Sequence, residues 1–457
     1  MITIPRTVTA FTAALVVWAA GCDDTPPRVL LVDLVSPDGG DPTVETDVDT
    51  LVVHVRHGDG EVRELTAPID DPDIDVRVED VDAPIALTAE LVGDTDRRLG
   101  APPTFIPSAD GGSLRLPMGA PGECAELTGE SMRLRQAHGS AGVGRSGTFA
   151  LVAGGETSAG PSSGAEAFDL LRMGRAAEIE DLPDPAGPTA AATMGDGRVL
   201  LVPDAADPVI YDLSDPEQRV HPVSLHAGAD ASSAVVSLPE GGAVVLGGGG
   251  ASPVDGVTWV DPDGRTHEAR LAEPRAHAAA ALLGDQVLLA GGMADGAPLA
   301  EVLGPTDGTG RMVADEPDHG VRDGAVLAVR DGRAWLLGGT DASGVPRTDT
   351  ALFSGCPDVC VVEAGSPWPD ARAGVAPVPT GAGVLLVGGD PPNSLVEHAR
   401  LDATPPQIQP RFQLAIPRAE AGAVLLEAGL LVVLGGRGPG GVLDSVELCW
   451  PSELAAP

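Results

Sequence analysis

The stretch FALVAGG, residues 149–155, decides the fold, and it is a short apolar run that ends in two glycines. Six further runs of the same kind follow at intervals of 44 to 50 residues. They are RVLLVPD (198–204), GAVVLGG (242–248), QVLLAGG (286–292), RAWLLGG (333–339), GVLLVGG (383–389) and LLVVLGG (430–436). Self-similarity at a period of about 20 to 50 residues is the signature of a repeat protein. The sequence therefore predicts seven structural units, the second of which has Pro203 and Asp204 in place of the glycines.

Each unit contains four short apolar runs, which we label a to d in chain order. Run b ends at the glycines. Examples of the others are RAHAAAALL (275–283) for a, GVTWVDP (256–262) for c and VVEAG (361–365) for d. Four strands in a unit of about 47 residues are typical of a β-propeller blade. The glycines have a mechanical role, because glycine accepts positive φ and lets the crowded inner strands approach closely.

The repeats resemble the kelch family, in particular the galactose-oxidase-like kelch propellers of bacterial surface proteins. The resemblance rests on the apolar-Gly-Gly runs, on Pro-Arg-x-His at 274–277 and on aromatic-x-Asp-Pro at 259–262. It covers residues 122–457 and implies a seven-bladed kelch-type β-propeller. The chain departs from the family in lacking most of the tyrosine and tryptophan of each unit, and Tyr211 is its only tyrosine.

The chain ends suggest how the ring closes. The seventh unit stops after its run c at Trp450, and only PSELAAP follows. Upstream of the first unit, ECAELTG (123–129) is an apolar run with no glycine pair of its own. We therefore expect residues 122–130 to pair with 444–450 as the missing strand d, because a ring closed by both termini leaves no open sheet edge.

The cysteines agree with this closure. Five are present, and setting Cys22 aside leaves an even number, as is usual for disulfides in an exported protein. We predict one disulfide between Cys356 and Cys360 in the c–d turn of unit five, and a second between Cys124 and Cys449 across the closure. Their spacing and the lack of a partnering Cys or His pair do not suit a zinc site.

Residues 1–21 are typical of an export signal. Arg6 gives a positive start, Val8 to Ala20 is an apolar stretch too short to span a bilayer, and small residues precede Cys22. The segment resembles the lipobox of bacterial lipoproteins, which implies a lipidated Cys22 and attachment to a membrane through acyl chains. The cellular address would be the cell envelope, periplasmic or on the outer surface. The alternative is an ordinary signal peptide with Cys22 free.

Residues 22–28 are a short linker, and residues 29–121 alternate apolar and polar positions in five runs. The runs are VLLVDLV (29–35), TLVVHVRH (50–57), DIDVRVEDV (73–81), PIALTAELV (84–92) and SLRLPM (113–118). A period of two predicts half-buried antiparallel strands, and this number of strands predicts a small immunoglobulin-like β-sandwich. The acidic stretch 70–82 lacks the spacing of a calcium loop and is better explained as the solvated face of a strand.

The charge of the chain excludes one class of partner. The formal net charge is −39, and every basic residue is an arginine. So negative a field repels phosphate backbones and excludes nucleic-acid binding. We expect a soluble monomer apart from its membrane anchor.

The chain lacks the residues that several known enzyme chemistries require. Copper radical oxidases share the kelch-type fold, but they need a tyrosine cross-linked to cysteine, a second tyrosine and two histidines, which one tyrosine cannot supply. The segment Ser252–Trp259 resembles a sialidase box only loosely and occurs once. No hydrolase, zinc-protease or phosphate-loop motif is present. We expect no metal and no cofactor.

Four arginines recur at a fixed distance before the first glycine of a unit. They are Arg275, Arg322, Arg372 and Arg418, at offsets of 16, 16, 16 and 17 residues. This offset places them at the start of strand a, on the end of the propeller that carries the b–c loops. They are candidate binding residues for an anionic ligand, or else ties between blades. His138 and His277, which we expect at equivalent positions in units one and four, are weaker candidates for the same site.

These observations favour a non-enzymatic envelope lipoprotein whose propeller face binds a protein or glycan. A carbohydrate-active enzyme such as a kelch-type sugar epimerase is the second hypothesis, and a convergent acid, base and arginine at the channel mouth would favour it. A propeller that serves only as a spacer is the third.

Overall fold

The computed structural model describes an all-β protein. The described residues are 11–19, 28–44, 46–70, 74–78, 83–106, 112–176, 178–215, 217–293, 300–305, 307–314, 321–356 and 360–455. Cys22 lies outside these ranges. Within them, helical structure is limited to the 3₁₀ turn η1 (Glu130–Met132), and no helix is long and apolar enough to cross a membrane.

The described residues between 11 and 117 form two four-stranded sheets around one apolar core. Leu34, Leu51 and Leu91 are completely buried in this core. The sheet orders are β5-β1-β2-β8 and β4-β3-β6-β7. The strands are β1 (Phe11–Ala19), β2 (Arg28–Val35), β3 (Val48–His57), β4 (Arg63–Pro68), β5 (Ile74–Val78), β6 (Ile85–Gly93), β7 (Arg97–Gly100) and β8 (Gly112–Pro117).

The first of these sheets is mixed, which corrects the expectation of purely antiparallel strands. β2 runs parallel to β8, and β1 runs parallel to β5 but antiparallel to β2. The reason is that alternation of apolar residues defines which face of a strand is buried but not its direction. β1 itself lies inside the predicted signal segment, where the sequence predicted no strand.

Seven four-stranded antiparallel sheets follow, which we number repeat sheets 1 to 7 in chain order, with strands a to d in each. They begin after β9 (Cys124–Glu126). Sheet 1 contains β10 (Gly142–Ser146), β11 (Phe149–Ala153), β14 (Ala165–Asp169) and β15 (Gly174–Arg175), with the two-stranded ribbon β12 (Glu156–Thr157) and β13 (Gly160–Pro161) between its second and third strands; sheet 2 contains β16 (Thr189–Thr193), β17 (Val199–Pro203), β18 (Val209–Tyr211) and β19 (Val220–Pro222). Sheet 3 contains β20 (Ala234–Ser237), β21 (Ala243–Leu246), β22 (Val254–Val260) and β23 (Thr266–Arg275); sheet 4 contains β24 (Ala279–Leu283), β25 (Gln286–Ala290), β26 (Ala300–Leu303) and β27 (Arg311–Ala314); and sheet 5 contains β28 (Asp323–Arg330), β29 (Arg333–Thr340), β30 (Ala351–Ser354) and β31 (Val361–Ala364). Sheet 6 contains β32 (Ala376–Thr380), β33 (Gly383–Val387), β34 (Asn393–Arg400) and β35 (Gln407–Arg418), and sheet 7 contains β36 (Gly422–Leu425), β37 (Leu431–Leu434), β40 (Val446–Cys449) and the upstream β9, with the two-stranded ribbon β38 (Arg437–Gly438) and β39 (Gly441–Val442).

The repeat sheets are arranged in a ring. Neighbouring a strands contact each other around it, β28 of sheet 5 contacts β33 of sheet 6, and β36 of sheet 7 contacts β10 of sheet 1. The b strands are almost entirely buried, because each is covered by the sheets before and after it. A β-propeller has this architecture.

Sheet 7 is closed by the upstream strand, as the sequence predicted. β9 pairs antiparallel with β40, and Cys124 lies opposite Cys449 in the register. These two cysteines form a disulfide, and so do Cys356 and Cys360. The predicted cysteine pairs are therefore both present. Their loops differ greatly, since the bridged cysteines are 325 residues apart in the first pair and 4 apart in the second.

This difference in loop length generates a stability prediction. Replacing Cys124 and Cys449 by alanine should lower the free energy of unfolding by about 2 to 5 kcal/mol, because the bridge restricts a very long loop in the unfolded chain. Replacing Cys356 and Cys360 should cost about 2 kcal/mol or less, since the loop is short. Guanidinium denaturation under non-reducing conditions measures both. Equal losses in the two double variants would contradict closure by the long-range bridge.

Candidate functional site at the glycine-pair face

Six of the repeat sheets carry a glycine pair at the end of strand b, and both glycines adopt positive φ. The first glycine of each pair has φ between 59° and 70°. A Cβ on Gly247 would lie 2.3 Å from the carbonyl oxygen of Arg275, so another residue would clash with the backbone as well as strain it. The pairs, the b–c loops and the d–a links lie at one end of the propeller, which we call the glycine-pair face.

A buried cationic or imidazole side chain binds the first glycine of each pair. In sheet 4, Arg275 donates from Nη1 to the carbonyl oxygen of Gly291 at 2.9 Å and from Nε to Glu301 of strand c at 2.9 Å. We call such a residue the tie residue of the sheet whose first glycine it binds. The tie residues are His138, His226, Arg275, Arg322, Arg372 and Arg418, in sheets 1, 3, 4, 5, 6 and 7.

The four arginine ties share one geometry. Each guanidinium is bonded both to the carbonyl of a first glycine and to a carboxylate of the sheet that carries this glycine. The acid partners are Glu301, Asp349, Glu397 and Glu447. The arginines are 0 to 3% exposed, and burial lowers the pKa of Arg322 to about 10 and also lowers the pKa of Arg418. These guanidiniums are therefore enclosed by the sheets and already paired with carboxylates.

The histidine positions require a correction. His138 and His277 are not equivalent, because His138 occupies the tie position, whereas His277 lies two residues beyond Arg275. Nδ1 of His138 is 2.8 Å from the carbonyl oxygen of Gly154, and Nε2 is 3.2 Å from Glu166. Counted back from the first glycine of their pairs, His138 is 16 residues away and His277 is 14 residues away, so the two are not in the same register.

Sequence reasoning also missed the tie of sheet 3. His226 binds the carbonyl oxygen of Gly247 through Nε2 at 2.9 Å, and its Nδ1 is 3.0 Å from the hydroxyl of Thr258 in strand c. Burial lowers the pKa of His226, so the ring is neutral at pH 7. Its offset to the glycine is 21 residues instead of 16, which explains why counting did not find it.

Backbone hydrogen bonds link most successive sheets near the centre of this face, and we call these bonds the belt. The residue two places after each tie has positive φ, for example His277 (52°), Gly324 (67°), Glu420 (52°) and Ser140 (54°). The amide of Gly324 donates to the carbonyl of His277 in the preceding sheet, and the amide of Ser140 donates to that of Glu420. The belt thus places equivalent residues of successive sheets next to one another at the mouth of the ring.

One group of side chains on and beside the belt is charged and open to solvent. Arg437 donates from Nε to Glu420 at 2.7 Å and forms a second ion pair with Glu156, and the hydroxyl of Ser140 donates to Glu420. The side chains of Arg437, Glu156 and Glu420 are 37 to 39% exposed. We call these four residues the rim cluster. It spans the junction of sheets 7 and 1, since Glu156 and Arg437 directly follow their glycine pairs.

A second polar group lies on the belt at sheets 4 and 5. Nδ1 of His277 is 3.4 Å from Asp323, and both side chains are more than a third exposed. His277 is therefore the one sequence-predicted site residue that reaches solvent at the mouth. The rim cluster escaped sequence analysis because its members come from four separate segments. The sequence feature that could have indicated it is the charged residue directly after two of the glycine pairs, Glu156 and Arg437.

The ties generate a second prediction. Arg418→Gln should lower the free energy of unfolding by about 3 to 5 kcal/mol, because Glu447 would remain buried without its cationic partner. The matched control is Arg265→Gln, since Arg265 pairs with Asp263 at the surface, with 83% of its side chain exposed, and such pairs contribute about 0 to 1 kcal/mol. Chemical denaturation measures both, and similar losses would show that the buried tie is not structural.

Comparison with known proteins shows a shared fold. No protein-family model matches the chain, and no curated protein matches it. A fungal alcohol oxidase of the AA5 family, solved in complex with copper, aligns with a TM-score of 0.54 and 15% identity over 72% of this chain and 75% of the oxidase chain. The structure of YjhT aligns with a TM-score of 0.42 and 12% identity over 68% of this chain and 95% of that chain.

The residues of this chain do not fit the copper that the oxidase binds. The only tyrosine of this chain, Tyr211, is completely buried in sheet 2, where its hydroxyl donates to the carbonyl of Glu180. In the part of the chain that the structure describes, no three histidine, cysteine or acidic side chains are grouped to hold a metal ion. The similarity to the oxidase is one of fold, and the fold is a galactose-oxidase-like β-propeller.

Proposed function

We propose that the chain is a cell-envelope lipoprotein, in which a lipidated Cys22 and a small immunoglobulin-like sandwich carry a seven-bladed kelch-type propeller. The propeller binds a protein or glycan at the glycine-pair face and catalyses no reaction. Seven repeat sheets in a closed ring, two disulfides and an apolar segment before Cys22 support these assignments.

The rim cluster is the observation that carries the binding role. In a protein of net charge −39, the fold holds an arginine between two carboxylates at the mouth of the ring, and all three are accessible to solvent. Fixed donors and acceptors on a rigid rim suit a ligand that is rich in hydroxyl or amide groups, such as a glycan or a peptide loop. The buried ties keep this rim rigid without taking part in binding.

The rim cluster generates a binding prediction. On a glycan array, Arg437→Gln should weaken binding about tenfold or more, because a hydrogen bond from a charged group contributes about 1.5 to 3 kcal/mol. Thermal stability should change little, since the side chain is partly exposed. Arg265→Gln, the same substitution in an exposed turn of sheet 3, is the matched control and should bind normally. Equal binding by both variants would exclude the rim cluster as the site.

A sugar epimerase remains the second candidate, and one observation favours it. The belt brings together an arginine with carboxylates in the rim cluster and a histidine with a carboxylate at His277 and Asp323, which are the group types that acid–base chemistry needs. Polarimetry of a hexose or a sialic acid incubated with the pure protein separates the two functions. Turnover that is lost in His277→Gln would replace the binding role by the enzymatic one.

The anchor requires a separate test. In a bacterial host fed with labelled palmitate, the wild-type chain should take up label and partition into the detergent phase. Cys22→Ala should leave the label unincorporated and the protein in the aqueous phase, because two or more acyl chains are needed for stable anchoring. Identical partitioning of the two proteins without label would favour an ordinary signal peptide.

A further inference from the structure

The sandwich and the propeller make a direct contact, and it lies at one end of the propeller. The indole of Trp450, directly after strand c of sheet 7, donates to the carbonyl of Pro117 at 3.2 Å, and a Cβ on Gly119 would lie 2.2 Å from the Trp450 ring. Arg115 of β8 donates its amide to the carbonyl of Leu171, directly after strand c of sheet 1. These c–d turns are at the opposite end of the strands from the glycine pairs.

Apolar packing extends this contact over the same end. Val35, Leu99 and Ala101 of the sandwich belong to one buried cluster with Leu426 and Leu430 of the a–b turn of sheet 7. The loop after β2 also reaches the outer strand of sheet 7, where Pro37 accepts a hydrogen bond from the amide of Thr128. The sandwich is thus fixed to the turn end of sheets 7 and 1 and to their outer edge.

The direction of the strands places Arg28, the first residue of β2, at the end of the sandwich away from the propeller. Three strands of the sandwich, β2, β7 and β8, run toward the propeller. The residues at or near the ends of these strands, Val35, Leu99 and Pro117, contact the propeller or the segment that leads into it. β2 has eight residues and therefore spans about 23 Å from its first residue to its last. Cys22 is only six residues before Arg28, a reach of about 20 Å at most. This direction follows from the pairing of β2 with β8 and does not depend on β1.

We infer that the sandwich is a pedestal that turns the glycine-pair face away from the anchoring membrane. Its far end carries the lipid, its near end supports the turn end of the propeller, and the rim cluster therefore faces the aqueous space. Partners at this face would be soluble molecules or components of an opposing surface, rather than proteins or lipid headgroups of the same membrane. The inference rests on anchoring at Cys22, which belongs to the proposed function.

The test measures which end of the propeller is nearer the membrane. Cys22 is the one cysteine that neither disulfide uses, so the purified full chain can be coupled through it to a maleimide lipid in phosphatidylcholine vesicles with acceptor-labelled headgroups. A donor dye is attached through p-azidophenylalanine at Glu240, in the a–b turn of sheet 3, or at Ala251, just after its glycine pair. Both positions are exposed and belong to the same sheet, far from the sandwich contact.

We expect energy transfer to be efficient from position 240 and clearly lower from position 251. Equal or reversed efficiencies would overturn the pedestal arrangement. Asp285 in the a–b turn of sheet 4 and Ser343 in the b–c loop of sheet 5, both exposed, form a second pair should a variant of the first not fold. Uncoupled protein mixed with the vesicles should show no transfer. Because the lipid is attached chemically, a chain that is not lipidated in cells fails the palmitate experiment without affecting this one.

Discussion

Four of the six tie residues join two neighbouring sheets, and the ring depends on this double contact. The side chain of Arg275 binds the first glycine and the strand c acid of sheet 4, while its own carbonyl accepts a hydrogen bond from Gly248, the second glycine of sheet 3. Glu301 also accepts the amide of Ala272 in the outer strand of sheet 3. The same backbone bond recurs at Arg322, Arg418 and His138. The glycine pair and the ties therefore form one structural unit. The carbonyl of the first glycine accepts a hydrogen bond from a tie side chain, and the amide of the second glycine donates one to the carbonyl of the tie in the next sheet.

This coupling explains why sheet 2 lacks both the glycine pair and the tie residue. Pro203 and Asp204 replace its glycines, and no arginine or histidine occupies the position 16 residues earlier, where Gly187 stands. Without a first glycine in the left-handed conformation, no carbonyl would be presented to a tie side chain. The backbone half survives, because Gly187 still accepts the amide of Gly155 from sheet 1. A sheet can thus lose its side-chain tie and remain linked to its neighbour through the main chain.

The sequence predicted most of the strands and the closure, because periodic apolar runs and paired cysteines report directly on burial and proximity. It did not predict that β2 and β8 are parallel, since a period of two contains no direction. The offset of the arginines from the glycine pairs can be counted in the sequence, but it does not reveal that Glu301 and Glu447 pair with the guanidiniums of Arg275 and Arg418. The rim cluster was invisible for another reason: Ser140, Glu156, Glu420 and Arg437 meet only after the first and seventh repeats become neighbours.

The two ends of the propeller strands therefore have different tasks. At the turn end, Trp450 and apolar residues of sheets 7 and 1 pack against the sandwich. At the glycine-pair end, buried ties stabilise the ring, so the side chains directly after each glycine pair and those two places after each tie need not be structural. Those positions carry Glu156, Arg437, Glu420 and His277. Chemical variety at the mouth is compatible with a stable ring because the ties lie one layer below the residues that meet solvent.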